Sequence, residues 1–333
     1  MGIEFFSLPW GTDDQDRRLD RILRRAFPGL ALGEVYAALR RRWVRINGRP
    51  AGPADRLKPG DRLEVHPRLL ADAPPPRAGV LPAAPGAPGA PGAPGPAVAP
   101  AAPLPAPVIA DLPAPVLWEN RDLVVFNKPR GLLVHGRGSL AEAVEAAYRG
   151  RVEPSLSFTP GPLHRLDRNT SGLLVFGKTL VGAREFSRLL REGRIIKIYW
   201  AILEGVLEGE ETWEDALVRE NRITRIAGEG EGGAGALCRI RPLAVRGGRT
   251  LGEIRLDTGR THQIRAQAAG RGHPLAGDSK YGAREGGGYF LHARQLEIPP
   301  GPLLPQGLKL QAPAPESGAL GVTRDFPPRY FAG

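Results

Sequence analysis

The sequence predicts a mixed α/β (α+β) protein in two units: a small N-terminal αβ unit, and a larger one with a mixed, largely antiparallel sheet and flanking helices. Three observations predict it. A linker at 71–115, nearly all Ala, Pro and Gly from residue 74, splits the chain unequally. Upstream, apolar spacing runs first in a helical and then in a strand period. Downstream, strand-like runs outnumber helical ones and do not alternate regularly with them.

In the N-terminal unit, 14–70, "LDRILRRAF" puts Leu19, Ile22, Leu23 and Ala26 at helical spacing, with arginines on the other face. Gly29 interrupts. "GEVYAALRRRW" gives a second short helix with Val35, Ala38 and Leu39 on one side and Arg40, Arg41 and Arg42 at its end. "VRING", which carries Arg45, alternates like a strand and closes on an Asn-Gly turn. "RLKPGDRLEV" adds the turn Pro59-Gly60-Asp61 and a last strand. Residues 1–70 hold fourteen basic and nine acidic side chains, a net +5. Arginine at a helix C-terminus is favourable in any protein, so this basic edge alone leaves RNA binding and a solvated helix end both open.

The linker holds four consecutive Ala-Pro-Gly triplets. Glycine at every third position has collagen's period, but so few triplets cannot make a triple helix. A semi-extended chain is expected, reaching on the order of 100 Å at roughly 3.1 Å per residue. Two independently mobile units follow from that.

The larger unit, 116–333, contains the strand-like runs "DLVVFNKP", "SGLLVFGK", "IIKIYWAILEG", "CRIRPLAV" and "TLGEIRLDTG". "SLAEAVEAAYRG" and "GAREFSRLLREG" read as helices, the first with Ser139 as N-cap and Glu142 completing a capping box.

Composition narrows the function. At 333 residues and 41% apolar side chains, the chain can bury a sizeable core. A formal charge of +11 points to a polyanionic partner, nucleic acid or an acidic membrane surface, although forty arginines against six lysines also fit a coding bias. No run approaches the roughly 18 apolar residues of a membrane span. The N-terminus, with its early Glu4, does not resemble a secretory signal, and a cytoplasmic, monomeric protein without membrane contact is expected. The single cysteine, Cys238, lies in an apolar run and reads as a buried structural thiol.

The sequence lacks GxSxG, and one cysteine cannot supply the zinc site of a nucleobase deaminase. What remains is polar clusters at strand edges: "HRLDRNTSG" with Asp167, "KIYWA" with Lys197 and Tyr199 on one face, "DTGRTHQIRAQ" with Arg260, His262 and Arg265, and the glycine-rich "GHPLAGDSKYG". Each alone is as well explained by packing or loop ties.

Taken in order, "LVVFNKPRGLLVH", "GPLHRLDRNTSGLLVFGKT", "KIYWAILEG", "LDTGRTHQIRAQAAGRGHPLAGDSKYG" and "FLHARQLEI" resemble the motifs of the RluA-type pseudouridine synthases, over nearly all of 116–300. The N-terminal unit resembles the S-four-type RNA-binding module, an arrangement seen in that family. Gln267 stands where many members carry histidine, and the linker is longer than the family's usual connector.

The resemblance implies a pseudouridine-synthase-like fold, no cofactor or metal, and isomerisation of uridine in RNA. Ribosomal RNA of the large subunit is favoured, with transfer RNA as the alternative. It implies Asp167 as catalytic carboxylate, paired with Arg265. Tyr199 would stack on the uracil, with a role as base left open, and Arg165 would fill the space of a flipped-out nucleotide. Arg168, Arg260 and His262, with Arg40, Arg41, Arg42 and Arg45 of the N-terminal unit, are the expected RNA contacts. Two rivals stand beside this: a metal-dependent nuclease using His164, Asp167, His262 or Asp278, and a catalytically silent RNA-binding or ribosome-assembly factor.

Overall fold

The apolar positions of the N-terminal unit form one small core. A computed structural model describes residues 5–72, 112–314, 326 and 330; most of the linker thus lies outside the described residues. β1 (Phe6–Leu8) is followed by α1 (Leu19–Ala26) and α2 (Leu32–Arg40), which bury the apolar stripes read from the sequence. β2 (Val44–Ile46), β3 (Arg49–Pro50), β4 (Leu63–Val65) and α3 (Pro67–Asp72) complete the unit. Its antiparallel sheet runs β1-β4-β2-β3, so it takes in a strand upstream of residue 14, the start expected from the sequence. Asn47 and Gly48, at φ 53° and 76°, make the β2–β3 turn; two positive φ values are what a tight two-residue hairpin demands.

The larger unit begins with β5 (Val116–Glu119), β6 (Leu123–Lys128) and α4 (Leu140–Tyr148). β7 (Gly161–Pro162), β8 (Ser171–Gly177), α5 (Leu180–Arg191) and β9 (Ile196–Glu204) follow. Next come β10 (Glu211–Glu220), β11 (Ile223–Ile226), β12 (Ala234–Arg246) and β13 (Arg249–Leu256). α6 (Gln263–Gly270), β14 (Leu291–Ile298) and β15 (Leu308–Gln311) close it. Among the described residues these strands form one eleven-stranded sheet, β11-β10-β12-β13-β9-β14-β8-β6-β5, with β15 on β14 and β7 on β8. The β14–β8 pair is parallel and the other pairs are antiparallel, so the mixed, largely antiparallel expectation holds.

Two helix starts differ from the sequence reading. Ser139 caps α4 by accepting the Glu142 amide, but the Glu142 carboxylate takes the Gly138 amide at 2.6 Å instead of closing the box on Ser139. α5 starts at Leu180, two residues early, because the Thr179 hydroxyl accepts the Gly182 amide.

The two units are docked, not independent. The Thr12 amide and hydroxyl donate to the Glu153 carboxylate at 2.8 and 2.7 Å. Asp14, fully buried, accepts the Leu156 amide at 2.8 Å and the hydroxyl of Ser157. The Asp13 carboxylate accepts the Leu180 amide at the start of α5. Leu156, 3% exposed, packs into the N-terminal core. The linker's composition speaks only to the tether; docking is decided by residues 12–14 and 153–157, whose buried carboxylate and leucine need each other's unit for partners.

Candidate active site

β8 enters the sheet centre through a glycine. Gly172 has φ 104°, and a Cβ there would collide with the backbone of Ala293 on β14. That close approach makes the parallel β8–β14 contact and aims the preceding loop, 163–170, along the sheet edge. The loop is tied from several sides. The Thr170 amide donates to the Asp167 carbonyl at 3.0 Å, and Leu166 is buried. The Val175 amide donates to Nε2 of His164 at 3.1 Å, while the His164 ring stacks on Phe186. Burial pushes His164 down to about 3, so it is neutral and serves as an acceptor. Lys128, at the end of β6, is wholly buried and gives its ammonium to the carbonyls of Pro129, Leu132 and Arg168, at 2.9, 2.8 and 3.1 Å.

The partner of Asp167 arrives on α6. His262 adopts a left-handed conformation, φ 54°, and turns the chain from the loop after β13 into that helix. The Gln263 side chain accepts the Thr258 hydroxyl and the Arg260 amide, which pins this corner. Nη1 of Arg265 then donates to Oδ2 of Asp167 at 3.1 Å. Its Nε and Nη2 donate to Asp278 at 2.6 and 2.9 Å. Burial works against the Arg265 charge, but the Asp278 hydrogen bonds and the surrounding charges outweigh it and hold the guanidinium above its ordinary value. His262 lies 3.7 Å from Asp167 and shares a 2.8 Å hydrogen bond with the Tyr281 hydroxyl; burial lowers its proton affinity, with Asp167 opposing.

Asp167 and Arg265 line a cleft of about 470 Å³ with Arg165, Lys197, Tyr199 and the 257–264 corner. Tyr199 and Lys197 share a face of β9, as the alternation predicts, and both are mostly buried. Burial raises the Tyr199 phenol, and the Asp167 charge adds to that, so it is protonated at neutral pH. Burial brings Lys197 down to about 8, and it donates to the Thr258 carbonyl at 3.2 Å.

The structure thus brings Asp167, Tyr199, Arg265, Arg165, His262 and Arg260 around one cleft. Arg165 is exposed at its rim, 3.4 Å from the Thr261 hydroxyl. Arg260 donates to the Gly235 carbonyl. Arg168 faces a second hollow on the far side of Asp167 and holds the Gly131 carbonyl. Arg40, Arg41, Arg42 and Arg45 lie on the N-terminal unit and do not line the cleft. The first three are exposed, whereas the Arg45 guanidinium sits 3.8 Å from the Phe5 ring centre.

Sequence reasoning missed Lys128 and also Tyr289, whose ring centre lies 4.5 Å from the Arg265 guanidinium carbon, and gave Asp278 only a metal-ligand role in the nuclease alternative. Instead, Asp278 is taken up by Arg265, and His164 is turned to the β8 backbone. The "GHPLAGDSKYG" motif was the available signal for Asp278, without its partner. Gln267 is a buried fastener between α6 and the sheet: it donates to the Trp213 carbonyl and Asp215, and accepts from Gln263 and the Cys238 thiol. Cys238, wholly buried and pushed up to about 12 by that burial, is inert as a nucleophile, as expected of a structural thiol.

A carboxylate–arginine pair, a tyrosine and further basic side chains thus meet in one cleft on this mixed sheet. A family model described as RNA pseudouridylate synthase matches residues 122–270, and an S4 domain model matches 17–63. The ribosomal large subunit pseudouridine synthase C of Escherichia coli strain K12 is 30% identical over 304 residues, covering 86% of each chain. Its namesake from Vibrio cholerae is 28% identical over 298 residues, again 86% of each. Among solved structures, human RNA pseudouridylate synthase domain containing 1 aligns with a TM-score of 0.50 at 25% identity, covering 61% of this chain and 84% of that one. The chain belongs to the RluA-type RNA pseudouridine synthases, isomerases of uridine in RNA, and carries an S4 domain at its N-terminal end. Among the described residues, no helix is long and apolar enough to cross a membrane.

Proposed function

We propose that Asp167 is the catalytic carboxylate and that the substrate is a uridine of large-subunit ribosomal RNA. The observation that carries the first part is the 3.1 Å pair of Asp167 with Arg265 in the cleft. The relatives' names and the S4 domain support the second.

In this reaction the N1–C1′ bond of the nucleotide breaks, the uracil turns, and C5 bonds to C1′. The proton on C5 is lost as N1 gains one, so the product is an isomer and no co-reactant is needed. Asp167 stabilises the sugar as positive charge develops, by attack or by its field, as carboxylates do in glycoside chemistry. Arg265 pairs with it at 3.1 Å and fixes its place in the cleft. Tyr199 closes over the uracil as a stacking group and O–H donor; its raised proton affinity argues against a standing base. Lifting the uridine out of its stack costs a few kcal/mol, and Arg165 at the rim fills the gap. Arg168, Arg260 and His262 contact the flanking backbone. The exposed arginines Arg40, Arg41 and Arg42, with Arg45 beside them, add phosphate contacts that make binding salt-dependent. The protein works as a monomer in the cytoplasm: among the described residues, Leu243 and Val245 share β12, and the other larger exposed apolar side chains, such as Leu32, Val181 and Val206, lie on separate segments.

Asp167→Asn, isosteric and uncharged, is expected to lower pseudouridine formation about a thousandfold or more with an unchanged melting temperature. Mapping pseudouridines in total RNA from a deletion strain complemented with either form identifies the sites. Modification by Asp167→Asn at the wild-type level rules Asp167 out, and loss confined to transfer RNA rules out the ribosomal target.

A further inference from the structure

The N-terminal unit carries a stack of rings and cations whose charge alone enters the mechanism above. At the end of α2 the Arg42 and Trp43 amides donate to the Leu39 and Ala38 carbonyls, both at 3.0 Å. Arg42 there adopts φ 59°, a left-handed turn in which glycine is the usual residue. The turn sets Trp43 opposite His66, whose amide donates to the Trp43 carbonyl at 2.8 Å. The two rings stack, with centres 5.3 Å apart and planes 20° from parallel, and Phe5 meets His66 edge-on at 5.4 Å. His66 is buried, and its Nδ1 accepts the Arg68 amide at 3.1 Å. Burial, with Arg68 and Arg45 nearby, lowers its proton affinity, so it backs the indole as a neutral ring. With His66 on one face, the half-buried Trp43 offers the other to Arg41, whose guanidinium carbon lies 5.0 Å from the ring centre. Elsewhere in this unit Arg18 and Arg62 pair with Asp20 and Glu64, at 3.0 and 2.9 Å. Among the described residues Arg40, Arg41 and Arg42 make no ion pair.

We infer that Trp43 and Arg41 form a stacking site for an unpaired nucleobase of the RNA, separate from the target uridine. Within a duplex each base face is covered by its neighbours, so a flat indole can be met only by a base that stands unstacked. An indole already held against a buried ring loses little further freedom when a base lies on it. Arg41, exposed beside it, swings from the indole to the phosphate of that nucleotide, and Arg40 and Arg42 meet the phosphates next to it. A protein partner would want a ring set among apolar neighbours, because charged side chains are depleted at the centre of protein interfaces. Here the ring follows three unpaired arginines, which favour a polyanion. The site deepens the reading that the S4 domain contacts RNA, and rests on it: it assigns that domain an unpaired segment.

The test is the Kd of the full chain for single-stranded oligoadenylate, which holds no uridine and makes no demand on the cleft, measured across a range of salt. Trp43→Leu, apolar but without a flat ring, should weaken binding by about fivefold to a hundredfold, the scale of one base stacked on an aromatic side chain. Its salt dependence should match wild type, whereas Arg41→Gln should lower the slope of log Kd against log salt by about 0.7, one phosphate contact on a single strand. Trp43→Phe should recover most of the leucine variant's loss. An RNA duplex of equal length should lose less than about twofold on Trp43→Leu. Wild-type oligoadenylate binding by Trp43→Leu, a phenylalanine no better than leucine, or an equal loss on duplex each overturns the site. The first of these hands the ring to a protein partner or to the core. If Trp43→Leu does not fold, ultraviolet crosslinking of the wild-type chain to oligouridylate decides: crosslinks are expected at 41–43, and crosslinks confined to other residues overturn the site. Replacing Arg40, Arg41 and Arg42 together by Gln separates the two claims. If that leaves Kd unchanged, the S4 contact itself falls; if it weakens binding while Trp43→Leu does not, only the stacking site falls.

Discussion

Single residues near Asp167 differ in how far the sequence exposes their work. His164 opens the "HRLD" motif and reads as a group for chemistry, yet its Nε2 accepts the Val175 amide and its ring packs on Phe186. The sequence shows the histidine but not the direction of its ring, which burial decides. That burial has a measurable consequence. Its folded value, about 3, lies below the ordinary 6.5, so the unfolded chain takes up the extra proton between them. This contribution to stability is complete above about pH 6.5 and is lost as pH falls toward 3. His164→Gln, which keeps an acceptor but does not titrate, should flatten the fall of melting temperature over that window. An unchanged acid slope would show that His164 does not carry it. Lys128 is a plainer case. A lysine in "NKP" looks exposed, and only three converging carbonyls reveal why it is buried.

At the scale of elements, legibility follows the contrast between faces. α1 was readable because one stripe is apolar and the other is arginine. α6 was not, because Gln263, Arg265 and Gln267 alternate with Ile264, Ala266 and Ala268 in a strand-like period although all six are buried in a helix. β8 is buried along its whole length and reads as a strand, but its parallel neighbour β14 could not be inferred from it. The glycine in "TSG" marks where the two meet. Gly172→Ala adds a Cβ at positive φ against the Ala293 backbone, and about 2–4 kcal/mol of stability should be lost. Chemical denaturation measures this; a cost below about 0.5 kcal/mol would mean that β8 and β14 are not held this closely.

For the whole molecule, the long linker suggested two bodies free to move, and the buried contacts of Asp13, Asp14 and Leu156 tie them together. The S4 domain then presents its arginines at a fixed distance from the cleft, so substrate choice can depend on RNA shape across both units. Asp14→Ala leaves the Leu156 amide and the Ser157 hydroxyl without their acceptor, at a cost of about 1–3 kcal/mol. We expect a larger radius of gyration by small-angle scattering and weaker RNA binding at an unchanged rate of the bound complex. Scattering identical to wild type would refute the docking.

The sequence by itself determined the two-unit plan, the strand-rich class of the larger unit, and the ordered motifs that carry Asp167, Tyr199 and Arg265. These are local properties: period, turn residues, and chemically reactive side chains in short runs. Tertiary structure alone decided that Arg265 is shared between Asp167 and Asp278, that His164 and Lys128 bond backbone groups of the strand and loops around Asp167, and that the N-terminal unit is docked. Each of these depends on which distant group reaches a buried polar atom first. Residues 98 positions apart, as Arg265 and Asp167 are, leave no periodic trace of their meeting. The fold supplies it through the parallel β8–β14 contact and the turn at His262 into α6.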